Sequence, residues 1–378
     1  MISLPRRAIT FAVPFSPLQV GRRLSGSSPV TAIDLEVTSR VRENRTGLAA
    51  KGGGAVMSRT FWLVWDGGKR SVSPPAAVRQ EFRADTIEVE MFSVGEGETI
   101  LISRGANVVM IDGGSGPRKP TNDELADLLA GRIPHGGLRA IIASHPHQDH
   151  TNAHRAFDVR LSNRVAANAR YFDNANPRST RWFDQRRDAV PGLPFTRRPV
   201  DDDPSTDSNP EISGLGAVFH HLRSTTGASS ELDQAYWSVF TVMRFNDAVF
   251  LFTGDAHKQY EASLIPRLQQ LVNRIHVLKV THHGSSSGTS PDLIQTFRPA
   301  LAFASTDAHH THRLEADVRA RLGDAAIYTT HDPSRPVHKA KDIVIRTDGR
   351  QRTIDGTQGV MFEVWRRQPA LRPLASTS

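Results

Sequence analysis

Three histidines and an aspartate that could hold a metal ion stand within one heptapeptide of the sequence. Residues 144–150 read Ser-His-Pro-His-Gln-Asp-His and directly follow the apolar run 138–143. Neutral imidazole and carboxylate are the ligand types that suit zinc and similar divalent ions. The alternative is a chance cluster among the 16 histidines of the chain, but such a cluster has no reason to follow a buried strand and contain an acid. The heptapeptide therefore predicts a metal-binding loop at a strand end.

Two further strand ends carry residues of the same types. The apolar run 250–252 leads into Thr253-Gly254-Asp255, and the run 276–280 leads into the pair His282-His283. An aspartate after glycine is often only a turn residue, and a histidine pair is often only part of the surface. Because the loops at strand ends of an α/β protein are available for chemistry, we expect both segments to join the first loop in one site.

Composition narrows the possible chemistry. The chain has 378 residues, of which 38% are hydrophobic and 23% charged, so it can build a sizeable core. It has no cysteine, which leaves His, Asp, Glu and water as metal ligands. No apolar stretch approaches the roughly 18 residues that a membrane-spanning helix needs. The composition predicts a soluble protein without a transmembrane segment.

The net charge of +8 is concentrated at one end of the chain. Residues 1–80 contain 12 Lys+Arg and 4 Asp+Glu, whereas the remainder carries 35 of each. We interpret 1–80 as a basic, largely disordered extension, 81–366 as one folded domain with an insertion or lid at 173–215, and 367–378 as a frayed tail. The apolar run 8–13 is interrupted by prolines, which makes a secretory signal the weaker alternative to a cytoplasmic location.

Strand-like and helix-like segments alternate from residue 86 onward. A capping residue, Thr121, and leucines at helical spacing predict a helix over 121–130, and two more helices are expected at 258–272 and 314–322. Strands are predicted at 87–94, 98–102, 107–111, 138–143, 217–222, 236–245, 248–252, 274–280, 301–304, 326–329, 343–346 and 359–365. This order predicts an α/β sandwich.

Over residues 86–350 the sequence resembles the metallo-β-lactamase fold superfamily and, within it, the soluble domain of the ComEC/Rec2 competence family. Five motifs in one order carry the resemblance: Val94-Gly95-Glu96-Gly97, the segment 109–114, the loop His145–His150, Phe252-Thr253-Gly254-Asp255, and the segment 278–285. The resemblance implies an αββα sandwich of two mixed sheets flanked by helices.

The resemblance also implies a centre of two divalent ions, zinc by default, with manganese or iron as alternatives. His145 and His147 would bind the first ion. Asp149, His150 and His283 would bind the second, and Asp255 would bridge both. Asp112 would orient a ligating histidine through its other ring nitrogen.

One ligand of the family pattern is missing. Most members of the superfamily supply another histidine to the first ion from the segment before the Gly-Asp motif, and residues 231–238 contain none. Asp233 could substitute, or His220 or His221 could swing in. The first ion's site is therefore one ligand short in the sequence.

The chemistry implied is hydrolysis by a hydroxide that bridges two metal ions. The candidate catalytic residues are Asp149, His282 and His312, with either histidine as proton donor or phosphate ligand. The ComEC-like motifs favour phosphodiester substrates, as in a nuclease or phosphodiesterase, so the expected partner is an anionic substrate, with nucleic acid as one candidate. Hydrolysis of carbon esters, thioesters or lactams, and a non-catalytic binding module with this fold, remain the alternatives.

Overall fold

Two mixed β-sheets face each other across an apolar core. The computed structural model describes residues 59–116, 120–175, 195–200, 208–209, 212, 214–223, 238–307, 313–331 and 340–368. Its strands are β1 (Arg59–Trp65), β2 (Gly68–Val72), β3 (Ile87–Met91), β4 (Thr99–Arg104), β5 (Asn107–Asp112), β6 (Leu138–Ile142), β7 (Val165–Asp173), β8 (Phe195–Pro199), β9 (Ser208–Asn209), β10 (Val218–Arg223), β11 (Val239–Phe245), β12 (Ala248–Phe252), β13 (Val277–Lys279), β14 (Leu301–Ala304), β15 (Ala326–Thr329), β16 (Asp342–Thr347), β17 (Gln351–Ile354) and β18 (Thr357–Arg367).

The strand order explains why functional loops collect at one edge of each sheet. The first sheet runs β2-β1-β18-β16-β3-β4-β5-β6-β7-β8, with β17 paired to β18, and the second runs β15-β14-β13-β12-β11-β10-β9. The strands β5 to β8 are mutually parallel, as are β12 to β15. The carboxyl ends of parallel neighbours meet at the same edge, where residues from several strands can converge.

The helices are α1 (Ala76–Ala84), α2 (Asn122–Arg132), α3 (Gln148–Thr151), α4 (Ala156–Val159), α5 (Lys258–Leu271), α6 (Pro291–Phe297) and α7 (Ala316–Leu322). The predicted capping residue Thr121 begins α2, where its side chain accepts from the Glu124 N–H in a capping box. Buried leucines of α2 pack on the outer face of the first sheet. Buried residues of α5, α6 and α7 pack on the outer face of the second. Helices on both outer faces confirm the predicted αββα sandwich.

The core between the sheets is built from alternating inward-facing side chains. Val89 and Ile111 of the first sheet meet Phe250 and Phe303 of the second in one buried cluster. Each of the two phenylalanines is at most 1% exposed, which stabilises the fold by roughly 1.5–3 kcal/mol per side chain relative to exposure. This packing fixes the position of one sheet against the other, and thereby of the loops at their ends.

The first sheet begins earlier in the chain than the sequence predicts. Strand β1 pairs with β18, residue Phe61 lying opposite Glu363, and Phe61 packs edge-on against Phe82 of α1. Two strands and the start of α1 thus lie within the extension that the sequence analysis places at residues 1–80. The partner of β1 lies about 300 residues away in the sequence. Residues 1–58 lie outside the described part of the chain.

The predicted insertion at 173–215 is only partly described. Within it, β8 adds an edge strand parallel to β7, while residues 176–194 and 201–207 lie outside the described residues. At the other end, β18 runs to Arg367, and the predicted tail beyond residue 368 is likewise outside them. No helix within the described ranges is long and apolar enough to cross a membrane.

Candidate metal centre

The heptapeptide 144–150 forms a tight loop between β6 and α3. Strand β6 ends at Ile142, and His147 immediately precedes α3, so the backbone turns within residues 143–147. The side chains of His145 and His150 are fully buried, and His145 Nε2 lies 2.9 Å from His147 Nδ1. The local sequence thus places its imidazoles on the inner side of the loop.

Four side chains from three strand ends bring possible ligand atoms together. Asp149, His150, Asp255 and His283 each offer one atom within 4.8 Å of all the others. The Oδ2 atom of Asp255 lies 3.2 Å from His150 Nε2 and 3.4 Å from His283 Nε2. The Oδ2 atom of Asp149 lies 3.6 Å and 3.9 Å from the same two nitrogens. Two carboxylates and two imidazoles therefore surround one small volume.

The remaining predicted site residues border this group. His145 Nε2 and His282 Nε2 each lie 3.9 Å from Asp255 Oδ2, so both face the same carboxylate oxygen. His147 reaches the group through its contact with His145. His312 lies outside the described residues.

The donor set fits a divalent metal ion. His150 Nε2 is buried and makes no hydrogen bond, although buried polar atoms are normally paired. A hard-to-borderline ion such as Zn²⁺, bound by imidazole nitrogen and carboxylate oxygen, would satisfy such atoms. The chemistry of the four side chains therefore agrees with the metal-binding loop that the sequence predicts.

The electrostatics of the group show how strongly its members act on each other. Burial opposes ionisation of Asp255, but His150 and His283 outweigh it and hold the pKa of Asp255 well below its usual value. Burial likewise opposes protonation of His150, but Asp255 and Asp112 raise its pKa well above the usual value. Burial and the neighbouring His150 hold the pKa of His145 well below its usual value. Because only a neutral imidazole binds a metal ion, a proton and a metal ion compete for His150.

Asp112 lies directly behind His150. Its Oδ2 is 2.8 Å from His150 Nδ1, and its Oδ1 accepts a hydrogen bond of 2.7 Å from the Ser144 N–H. An Nδ1–H that donates to Asp112 leaves Nε2 as the free lone pair, turned toward the group of four. Asp112 itself has a φ of 56°, a left-handed conformation that costs about 1–3 kcal/mol outside glycine. Buried His154 supports it, with Nε2 3.0 Å from the Asp112 carbonyl oxygen.

Sequence reasoning missed a buried ion pair beneath the centre. The Lys279 ammonium is fully buried, 2.5 Å from Glu98 Oε2 and 3.7 Å from Asp255 Oδ1, and it donates to the Gly254 carbonyl oxygen at 2.9 Å. Burial alone would lower the pKa of Lys279, but Glu98 and then Asp255 outweigh it and raise this pKa above its usual value. The sequence does contain one indication of this ion pair, because Lys279 is a charged residue within the otherwise apolar run 277–280.

The two carboxylate oxygens of Asp255 consequently face different neighbours. Oδ2 faces the imidazoles, and Oδ1 faces the Lys279 ammonium. The Asp255 backbone is also fixed, since its N–H donates to Ser238 Oγ at 2.9 Å. Lys279 thus places a positive charge on the side of the Asp255 carboxylate that turns away from the histidines.

The alternative ligands for the first ion lie elsewhere or outside the described residues. His221 is buried against the Phe172 ring, with centroids 4.4 Å apart, and its Nδ1 lies 3.1 Å from Thr241 Oγ1. Burial lowers the pKa of His221 to about 3, as expected for a neutral core histidine. His220 also does not belong to the ligand group, and Asp233 lies outside the described residues.

Gly114 lets two chain segments meet at the ligand loop. A Cβ atom built at this position would collide with the carbonyl group of Asp149 and the backbone nitrogen of His150. The adjacent Glu98 N–H donates to that same Asp149 carbonyl oxygen at 3.0 Å. Only glycine allows the backbone after β5 to pack this closely against the ligands.

Comparison with known proteins agrees with this architecture. Residues 93–236 match the family model described as the Metallo-beta-lactamase superfamily, so the loop 144–150 lies within the matched segment. The matched segment covers β4 to β7 of the first sheet and the strands β8 to β10 that follow. No curated protein matches the chain.

Several solved structures are similar at low sequence identity. The metallo-beta-lactamase fold protein YhfI from Bacillus subtilis is 11% identical, with 64% of this chain and 96% of that chain covered and a TM-score of 0.42. The short form of human tRNase Z is 11% identical, with 61% and 96% covered and a TM-score of 0.41. A diphosphatase from the PhnP family is 15% identical, with 65% and 95% covered and a TM-score of 0.40.

Proposed function

We propose that the protein is a metal-dependent hydrolase that acts on phosphodiesters, as a nuclease or phosphodiesterase. The observation that carries this proposal is the convergence of Asp149, His150, Asp255 and His283 within 4.8 Å, with buried His150 Nε2 left without a hydrogen bond. The ComEC-like motifs support phosphodiesters as the substrate class.

In this proposal the ligands divide between two divalent ions, zinc by default. Asp149, His150 and His283 would hold one ion, His145 and His147 would hold the other, and Asp255 would be shared between them. When bound, the ions supply Lewis-acid activation of water and neutralise charge on the substrate. The ion assigned to His145 and His147 has fewer ligands among the described residues. We therefore expect it to bind more weakly than the ion assigned to Asp149, His150 and His283.

The protein's own groups have separate tasks. Asp112 fixes the His150 ring, which keeps Nε2 directed at the ion. His282 stands at the rim, 26% exposed, with its Nδ1 2.8 Å from Ser287 Oγ and its Nε2 toward Asp255. Burial lowers the pKa of His282 to about 4, so at neutral pH its ring is uncharged. We propose that it donates a hydrogen bond from Nε2–H to a phosphate oxygen.

The test combines metal analysis with turnover. The wild-type protein, reconstituted with zinc or manganese, is assayed with bis-p-nitrophenyl phosphate beside Asp149→Ala. The matched control is Asp123→Ala, which removes an aspartate whose side chain is 86% exposed in the first turn of α2. We expect bound metal and hydrolysis in the wild type and control, and a loss of at least about 100-fold in Asp149→Ala.

Each other outcome points to a different function. Undiminished hydrolysis in Asp149→Ala contradicts the proposed mechanism. Bound metal with hydrolysis of p-nitrophenyl acetate alone favours the carbon-ester alternative. Bound metal without turnover of either ester favours a binding module.

A further inference from the structure

The adjacent residues His282 and His283 lie in a loop with an unusual backbone. In the segment 281–290, hereafter loop 281–290, three residues other than glycine have left-handed conformations: His282 at φ 50°, His283 at φ 55° and Thr289 at φ 50°. L-residues avoid this region, and they remain there only where the surroundings enforce it. Loop 281–290 therefore needs contacts from outside itself to hold the His283 ring in place.

A single buried carboxylate supplies those contacts. Glu261 of α5 is fully buried. Its Oε1 accepts hydrogen bonds of 2.7 Å from both the Thr281 hydroxyl and the Thr289 N–H, and its Oε2 accepts one of 2.5 Å from the Ser290 N–H. Glu261 thus binds both ends of loop 281–290 at once.

The two ends are also tied to each other and to the metal centre. The Thr281 N–H donates to Thr289 Oγ1 at 3.0 Å, which closes the base of the loop. The next residue, His282, donates its N–H to the Gly254 carbonyl oxygen at 3.1 Å, beside Asp255. The anchor at Thr281 stands two residues before His283, so a displacement at the base changes the direction of the His283 ring.

We propose that Glu261 is a positioning residue of the metal centre, which fixes both ends of loop 281–290 and thereby directs His283 at the ion. This inference rests on the proposed function, because it requires His283 to be a metal ligand. Glu261 does not touch the ion or the substrate. It acts through the loop, and a substitution there should change metal affinity more than a comparable substitution elsewhere in the core.

Glutamine is the most informative replacement. Glu261→Gln keeps the volume of the side chain but replaces one acceptor oxygen with an NH₂ group. That group then faces a donor, either the Ser290 N–H or the pair from Thr281 and Thr289. A buried donor pointing at a donor loses its hydrogen bond and repels its neighbour, so one end of loop 281–290 is released.

The chain offers a matched control in a second fully buried glutamate. Glu363 on β18 accepts from Arg59 and Arg83 at 3.0 Å each and from Arg346 at 3.3 Å. None of these partners belongs to the group of possible metal ligands. Glu363→Gln therefore makes the same chemical change in the same fold, away from the centre.

The experiment measures zinc affinity of the full-length protein by competition with a chromophoric chelator, together with the visible spectrum of the cobalt-loaded protein and the urea unfolding midpoint. We expect Glu261→Gln to bind zinc about 10–100-fold more weakly than the wild type and to shift the cobalt bands. We expect Glu363→Gln to lower the unfolding midpoint with zinc affinity within about twofold of the wild type. Thr281→Val, which removes one of the three hydrogen bonds, should give an intermediate loss and serves if Glu261→Gln does not fold.

The outcomes separate the two proposals. If the wild type binds zinc and both Glu261→Gln and Thr281→Val keep its affinity and cobalt spectrum, the positioning role is refuted while the metal centre stands. An equal loss of zinc affinity in Glu363→Gln also refutes it, because the effect is then one of general stability. If the wild type binds no zinc, both proposals fall.

Discussion

Acidification should destabilise the protein through a histidine that lies away from the metal centre. His276 precedes β13 and is only 8% exposed. Its side-chain Nδ1 accepts a hydrogen bond of 3.1 Å from the Val249 N–H, and the backbone N–H of His276 donates to the Val249 carbonyl oxygen at 2.9 Å. Burial, followed by the charge of Arg274, lowers the pKa of His276 from 6.5 to about 4. The folded protein therefore binds a proton here less readily than the unfolded chain.

The sign and size follow from proton linkage. Because the folded pKa is the lower one, the stability contribution is intact above pH 6.5 and is lost as the pH falls toward 4. At about 1.4 kcal/mol per pKa unit, the full loss is about 3 kcal/mol, of which about 2 kcal/mol falls between pH 7 and pH 5. The free energy of unfolding should therefore fall more steeply with decreasing pH in the wild type than in a variant that lacks His276.

The assay compares the slope of unfolding free energy against pH in three proteins. Urea unfolding of the wild type, His276→Gln and the surface control His135→Gln is followed at pH 7, 6 and 5 with a chelator present, so that other buried histidines contribute equally. His276→Gln should be less stable at pH 7 but should lose about 2 kcal/mol less than the wild type on going to pH 5. The same slope in all three proteins would refute the reasoning.

Two further predictions concern the packing and charge beneath the centre. Gly114→Ala should lower the free energy of unfolding by about 1–3 kcal/mol and abolish zinc binding, because its Cβ meets the loop 144–150. The control is Gly131→Ala in α2, where nothing lies within 4 Å of the added atom. This control should raise the free energy of unfolding by about 0.5–1 kcal/mol. Both are read from urea unfolding, and equal effects of the two substitutions would contradict the packing argument. Lys279→Met leaves the carboxylate of Glu98 buried without its partner, so it should cost about 3–5 kcal/mol, and adding Glu98→Gln should restore most of that loss. Additive losses in this double-mutant cycle would show that the ion pair is not coupled.

The parts of the site that sequence could predict are those whose residues lie together in the chain. The loop 144–150 concentrates ligand types in seven positions, and the runs before Asp255 and His283 mark strand ends. Strand and helix periodicity predicted an α/β sandwich, and the family resemblance implied the arrangement of two sheets with helices outside. Local sequence patterns thus indicated the fold class and the candidate residue types, and the resemblance implied how these residues would divide between two ions.

The residues that sequence reasoning missed act over long separations. Lys279 pairs with Glu98 across 181 positions, and Glu261 reaches a loop about 20–30 positions away. A buried charge is unfavourable unless it is paired, so the lysine within an apolar strand implied a partner but did not identify it. The packing of the two sheets determines which carboxylate pairs with Lys279, and that packing depends on the whole core.

The geometry of the centre depends on the contact between the two sheets. Asp112 ends β5 and the loop 144–150 follows β6 in the first sheet, whereas Asp255 and His283 follow β12 and β13 of the second. In the proposed metal centre, an ion held by both groups would link the sheets at the edge where these strands end. The left-handed backbones of Asp112 and His283 each cost about 1–3 kcal/mol, and they persist because the core between the sheets is large enough to offset that strain. The same packing that stabilises the sandwich thus holds the ligands in positions that an isolated loop would not adopt.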